Sequence, residues 1–128
     1  MIDHLSLGVS ELDRSRQFYD ATLGALGYRR LSADDSSLAY GAGKTTLWLS
    51  KTGHPVVVNE ESGFHLSFSA MTPVHVDAFY RAALDNGGGD NGRPGLRDKY
   101  SAGYYAAFVL DPDGYHLEAH CELTGTGQ

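Results

Sequence analysis

Residues 4–23 read HLSLGVSELDRSRQFYDATL and residues 65–84 read HLSFSAMTPVHVDAFYRAAL, so a constant offset of 61 places the two stretches over each other without a gap. Seven of the twenty aligned positions are identical, and two of them form a consecutive Phe-Tyr pair. Self-similarity at a fixed offset is the signature of a duplicated structural unit. The sequence therefore predicts two copies of one module in a single chain.

Each copy begins with alternating apolar and polar residues and then changes to the spacing of an amphipathic helix. Ser10 is predicted to cap the first helix, and Thr72 followed by Pro73 predicts the start of the second. Short strand candidates follow each helix, at about 28–33, 37–40 and 45–50 and again at about 89–93, 104–110 and 115–121. The predicted fold is α+β, with two βαβββ modules whose curled mixed sheets form a cleft.

Length and composition define the class of protein. With 128 residues, the chain has room for one domain of ordinary size, which we place at 1–123, with modules at about 1–51 and 62–123 and a tail at 124–128. The net charge of −6 argues against a nucleic-acid partner. No apolar run approaches the length of a membrane span, and the single cysteine suits a reducing compartment. Because the opening residues also lack the features of a signal peptide, a cytoplasmic location is expected.

The last two strand candidates are joined by Asp-Pro-Asp-Gly at 111–114, a strong tight-turn sequence. A hairpin closed directly by this turn pairs Leu110 with Tyr115 and Ala107 with Glu118, and it places Tyr105 on the face of Glu118. The same alternation puts Trp48 on the corresponding polar face of the first module.

The polar faces of both modules carry groups that can bind a metal ion. His4 and His65 occupy equivalent positions in the repeat, and Glu118 lies on a final strand. Two imidazoles and one carboxylate form a ligand set suited to divalent transition metals, with open positions for a substrate. The spacing alone leaves open whether these residues bind a metal or are polar residues at strand edges.

Three motifs together resemble the vicinal oxygen chelate superfamily: HLSLGVSEL at the start, GFHLSFSA in the second copy and DPDGYHLEA near the end. The resemblance covers about residues 1–123. It implies a glyoxalase/dioxygenase-like fold, one divalent metal ion (Fe, Mn, Zn or Ni), a small-molecule substrate and a homodimer. Carried over by position, the metal ligands are His4, His65 and Glu118, with Glu118 also catalytic.

Departures from the family patterns separate its branches. Trp48 stands where glyoxalase I has a glutamate ligand, and Phe108 stands where extradiol dioxygenases have an acid/base tyrosine; the basic residue that follows the glutamate in fosfomycin-resistance proteins is missing. We therefore expect a lyase, isomerase or dioxygenase type of Lewis-acid chemistry on a small oxygenated substrate, other than that of glyoxalase I. The alternative is a binding protein of the bleomycin-resistance type that sequesters an antibiotic. The predicted substrate-binding residues are Trp48, Tyr105, Arg97, Lys99 and Tyr100.

Overall fold

The computed structural model describes residues 1–123, and the predicted tail at 124–128 lies outside the described residues. The elements in chain order are β1 (Leu5–Val9), α1 (Leu12–Ala25), β2 (Arg29–Ala33), β3 (Ser37–Gly41), β4 (Thr45–Lys51), β5 (Leu66–Ser69), α2 (Pro73–Asp85), β6 (Gly89–Leu96), β7 (Tyr104–Leu110) and β8 (His116–Glu122), with one turn of 3-10 helix at Glu60–Ser62. The predicted order βαβββ, present twice, is confirmed. Within the described range, neither helix is long and apolar enough to cross a membrane.

Each module forms one four-stranded mixed sheet, with the orders β1-β4-β3-β2 and β5-β8-β7-β6. The first strand of each sheet pairs in parallel with the last, and the other neighbours are antiparallel. Ser6 pairs with Trp48 in the first sheet, and Ser67 pairs with Glu118 in the second. Since Ser6 and Ser67 are also equivalent in the sequence repeat, Trp48 and Glu118 occupy the same position of the module, as predicted.

The two modules share one hydrophobic core. The helices α1 and α2 pack against each other, and the apolar faces of both sheets contribute residues to the same buried cluster, among them Leu7, Leu49, Phe79, Val109 and Leu117. The polar faces consequently lie on the outside of the single chain, where Ser6, Ser50 and Ser67 are exposed. The sheets are not closed over one another.

The turn at 111–114 is tied to the first module. The buried Tyr19 on α1 donates a hydrogen bond from its hydroxyl to Asp111 Oδ2 at 2.5 Å, and Ser10 Oγ donates to Asp113 Oδ1 at 2.5 Å. The prediction that Ser10 caps α1 is wrong, because the cap position is Glu11 and no side chain caps this helix. The Ser10 hydroxyl instead fixes the turn of the other module.

The hairpin between β7 and β8 is one residue longer than predicted. Leu110 pairs with His116, whereas the turn sequence predicted that Leu110 pairs with Tyr115. The carboxylate at the start of the turn accepts hydrogen bonds from two backbone N–H groups inside it, which stabilises the longer connection. The partner of Glu118 is therefore Phe108, and the predicted partner Ala107 is wrong. A slip of one residue exchanges the two faces of a strand.

Candidate metal centre

Glu118 and His65 form the centre of the outer face of the second sheet. Glu118, in the middle of β8, is only 2% exposed although it carries a carboxyl group. The parallel pairing of β5 with β8 brings the residue that precedes β5 beside it, and His65 Nε2 lies 2.8 Å from Glu118 Oε1. The structure thus brings together two of the three predicted metal ligands.

The second oxygen of Glu118 is held by a tyrosine of β7. The hydroxyl of Tyr104 donates a hydrogen bond to Glu118 Oε2 at 2.5 Å. Burial raises the pKa of Tyr104 well above its usual value, and the hydrogen bond to the Glu118 carboxylate and its charge act in the same direction. Tyr104 is therefore a protonated donor throughout the neutral range, and each oxygen of the Glu118 carboxylate has its own partner.

Aromatic rings enclose this group of polar atoms. The Tyr104 ring stacks on the imidazole of His120, with centroids 4.4 Å apart and an angle of 7° between the planes. The edge of Tyr100 packs against Tyr104 at 5.1 Å, and Phe108 packs against His65 at 6.1 Å. These rings surround the buried carboxylate on the outer face of the second sheet.

Two cationic side chains lie against the same rings. The Arg97 guanidinium lies over Phe108 at 5.4 Å from the ring centroid, and the Lys99 ammonium lies over Tyr100 at 5.2 Å. Neither forms an ion pair with Glu118, and within residues 1–123 no other lysine or arginine does so. Arg97, Lys99 and Tyr100, predicted as substrate-binding residues, are thus placed around Glu118, while their role stays a prediction.

Tyr105 lies on the other side of β7. Its backbone pairs with Cys121, and its hydroxyl donates to Asp77 Oδ1 on α2 at 2.7 Å. The hydrogen bond to Asp77, together with desolvation, raises the pKa of Tyr105 to about 12. The prediction that Tyr105 shares the face of Glu118 is wrong, because the longer hairpin turns Tyr105 toward the helix and turns Tyr104 toward the carboxylate.

His4 lies apart from this centre within one chain. Its Nδ1 is 2.8 Å from Asp3 Oδ2, and Asp3 also pairs with Lys44. The hydrogen bonds from His4 and Lys44 hold the pKa of Asp3 below its usual value. His4 lines a cleft of about 550 Å³ between the modules, whose walls include neither His65 nor Glu118.

A three-ligand site is thus incomplete in a single chain. Across the described residues 1–123, no three His, Cys, Asp or Glu side chains lie close enough together to hold a metal ion. The donors that are in place, one imidazole nitrogen and one buried carboxylate oxygen, are of the right chemical type for a transition metal. These residues fit a metal site only if a third ligand comes from elsewhere.

Trp48 lies on the polar face of the first sheet. Its neighbours along β4, Leu47 and Leu49, are buried in the core, whereas Trp48 is half-buried and lies outside that core. The predicted alternation along β4 is confirmed. Contact of the indole with a substrate stays a prediction.

Sequence reasoning missed Tyr104 as a neighbour of Glu118, and it assigned no role in the site to Phe108 or His120. Residues 104–110 are uninterrupted by charged residues, so their alternation does not reveal which side chains face the helix. The signal that could have found Tyr104 is the pair of adjacent tyrosines at 104 and 105, of which one had to face Glu118. The hairpin register decides between the two.

Comparisons with known proteins agree with this architecture. The family model described as Glyoxalase/Bleomycin resistance protein/Dioxygenase superfamily matches residues 1–119. A glyoxalase/bleomycin resistance protein from Albidiferax ferrireducens T118 is 34% identical with a TM-score of 0.80, covering 92% of this chain and 96% of its own. No curated protein matches the sequence of this chain.

Two further structures are similar in fold alone. A glyoxalase-related enzyme from Fulvimarina pelagi is 17% identical with a TM-score of 0.72, and the alignment covers 100% of this chain and 95% of that one. A glyoxalase/bleomycin resistance protein/dioxygenase family enzyme from Burkholderia phytofirmans PsJN is 15% identical with a TM-score of 0.72, covering 95% and 98% of the two chains. With the duplicated βαβββ fold and the match over residues 1–119, the chain belongs to the glyoxalase/bleomycin resistance protein/dioxygenase superfamily.

Proposed function

We propose that this protein binds one divalent metal ion per site through His65, Glu118 and His4 of the partner subunit, and acts on a small oxygenated molecule bound beside it. The observation that carries the proposal is the burial of Glu118. Glu118 is 2% exposed, and its partners in the described part of the chain are the Tyr104 hydroxyl and the His65 imidazole rather than a lysine or arginine, so its burial still carries a desolvation cost. A bound cation offsets that cost.

The position of His4 supports a homodimer. The polar faces of both sheets lie on the outside of a single chain, and the walls of the cleft that His4 lines include neither His65 nor Glu118. A second chain whose first sheet covers the second sheet of its partner brings the missing imidazole to Glu118. A C2 dimer of this kind contains two equivalent sites.

The metal would supply Lewis-acid catalysis, stabilising negative charge that develops on the substrate oxygens. Glu118, as a ligand and the proposed catalytic carboxylate, faces the site through Oε1, while Tyr104 fixes its other oxygen. Arg97 and Lys99 provide positive charge for an anionic oxygen of the substrate, on rings that keep water away. The reaction is of the lyase, isomerase or dioxygenase type.

Trp48 argues against the chemistry of glyoxalase I within this family. Trp48 occupies the position equivalent to Glu118, and an indole offers neither a metal-binding lone pair nor a carboxylate base. We propose that the indole forms an apolar wall for the substrate. We also propose a cytoplasmic location for the protein.

A second candidate function is sequestration of a small molecule without turnover, as in bleomycin-resistance proteins. The aromatic rings around a buried carboxylate and the net charge of −6 favour binding of an aromatic cation. Metal analysis of the untagged protein separates the two functions. A stoichiometric, tightly held metal supports the first, and a metal-free protein that binds aromatic cations supports the second.

Mixing two variants that cannot bind metal on their own tests whether the metal ligands come from two chains. His4→Ala and Glu118→Ala homodimers each lack a complete site. If the ligands are shared between chains, a heterodimer of the two variants has one intact site, and random mixing restores about a quarter of the wild-type metal content. Unfolding and refolding the two proteins together allows the exchange, and each variant treated alone is the control. Mixed variants that bind no more metal than either alone contradict the shared site.

A further inference from the structure

The Tyr104 hydroxyl donates a hydrogen bond to Glu118, and Tyr104 is not part of the motifs by which the chain resembles the superfamily. We infer that Tyr104 is the positioning residue of Glu118: by binding Oε2, it leaves Oε1 as the one oxygen that would be available to a metal ion. This inference rests on the proposed metal site. It assigns a separate task to a residue that touches neither the metal nor the substrate.

The Tyr104 hydroxyl is delivered by a ring that is held on two sides. The Tyr104 backbone pairs with Glu122. On this face of β8, His120 lies between Glu122 and Glu118, so the Tyr104 side chain passes over His120 to reach the carboxylate. The parallel stack on His120 and the edge contact with Tyr100 hold the ring in this direction. Donor and acceptor are 2.5 Å apart, a short distance of the kind expected for a hydroxyl donating to a carboxylate.

The two oxygens of Glu118 consequently differ. Oε1 lies 2.8 Å from His65 Nε2, the other proposed ligand atom, whereas Oε2 is engaged by Tyr104. Without the Tyr104 hydroxyl, Oε2 loses its hydrogen-bond donor and would also be available to a metal ion. Loss of a hydrogen-bond partner of a metal ligand lowers metal affinity about 10- to 100-fold.

The next residue of the same strand provides a matched control. Tyr105 also donates its hydroxyl to a carboxylate, at 2.7 Å from Asp77 Oδ1, but on the helix side of the sheet. Tyr104→Phe and Tyr105→Phe therefore remove the same atom, from adjacent residues, and break the same kind of hydrogen bond. Only the first touches Glu118.

The test measures binding of Mn²⁺ by calorimetry and the visible spectrum of the Co²⁺-loaded protein for the wild type and both variants. We expect Tyr104→Phe to weaken Mn²⁺ binding about 10- to 100-fold and to lower the intensity of the Co²⁺ d–d bands, because a bidentate Glu118 raises the coordination number. Tyr105→Phe should leave the Mn²⁺ affinity and the Co²⁺ spectrum unchanged, whatever its effect on the melting temperature.

The outcomes separate this inference from the proposed function. If the wild type binds metal and Glu118→Ala does not, but Tyr104→Phe matches the wild type in affinity and spectrum, the positioning role is wrong and the metal site stands. Equal losses in Tyr104→Phe and Tyr105→Phe also overturn it, because they indicate a general effect on the fold. A wild-type protein that binds no metal overturns both.

Discussion

Replacing Tyr19 by phenylalanine should remove a buried hydrogen bond between the two modules and destabilise the protein. The Tyr19 ring is fully buried, and its hydroxyl donates to Asp111, a carboxylate that is only 4% exposed. The other carboxylate oxygen of Asp111 keeps its two backbone donors in the variant, while Oδ2 loses its partner and cannot reach bulk water. Tyr19→Phe therefore leaves a buried, charged acceptor unsatisfied.

The size of the effect follows from that geometry. A hydrogen bond to a charged group contributes about 1.5–3 kcal/mol, and the cost of an unsatisfied buried acceptor is of the same order. We expect the free energy of unfolding to fall by about 2 kcal/mol at neutral pH. At an unfolding entropy of about 2.1 cal/mol/K per residue, this corresponds to a decrease of about 7 °C in Tm for a chain of this length.

The decrease in the free energy of unfolding should depend on pH, and the ionisation of Asp111 sets the direction of that dependence. Burial raises the pKa of Asp111 above its usual value of 3.8, and the hydrogen bond from Tyr19 opposes that rise. Removing the hydroxyl raises the pKa further. A carboxyl whose pKa is raised in the folded protein favours folding while it is protonated, and this contribution is lost as the pH rises through the folded pKa. Tyr19→Phe should therefore cost most at neutral pH and less toward pH 4.

Urea unfolding at about pH 7.5 and about pH 4.5 measures this difference, with Tyr40→Phe as the control. Tyr40 is also buried and donates to a carboxylate, at 2.8 Å from Asp20 Oδ1, but the Asp20 side chain is 39% exposed and can bind water instead. Tyr40→Phe should cost less than about 1 kcal/mol. Equal losses in the two variants, or a Tyr19→Phe loss that is the same at both pH values, would refute the reasoning.

Four further predictions concern the site and the packing. His65→Ala and Glu118→Ala should each abolish stoichiometric metal binding while the far-UV spectrum stays native, since both side chains lie on the face of the second sheet opposite the shared core; unchanged metal content by elemental analysis in either variant would sink the ligand assignment. Trp48→Ala should retain metal and change ligand affinity in calorimetry, and the native protein should show negligible glutathione-hemithioacetal isomerase activity; robust turnover would contradict the account of Trp48. Gly88→Ala should destabilise by about 3 kcal/mol or more, because its Cβ would lie 2.6 Å from a buried phenylalanine ring and within 2.9 Å of two carbonyl oxygens. Gly24→Ala on α1, with open space around the Cβ, should instead stabilise by about 0.5–1 kcal/mol in thermal unfolding.

The repeat made the fold predictable from sequence, because a duplicated strand–helix pattern constrains both halves at once. The first strand and helix of each copy are amphipathic, so the buried faces were predictable. The register of the last hairpin was not. Asp111 accepts two backbone hydrogen bonds inside the turn, which stabilise a connection one residue longer than the turn sequence predicts. The residues at 104–110 also do not alternate between polar and apolar, so the sequence does not distinguish the two faces of this strand. For that reason the aromatic residue beside Glu118 was predicted as Tyr105 and is Tyr104.

The position of His4 was beyond sequence reasoning for a different reason. Equivalence within a repeat shows that His4 and His65 occupy the same place in their modules, but it does not show how the modules are arranged in space. The shared core turns the helix sides of both sheets inward and leaves the polar faces on the outside. Two residues related by the repeat are then separated within one chain, and a second copy of the chain is the simplest source of the missing imidazole. The same core that stabilises the monomer thus makes the proposed site depend on dimerisation, so that dilution to monomer should release the metal.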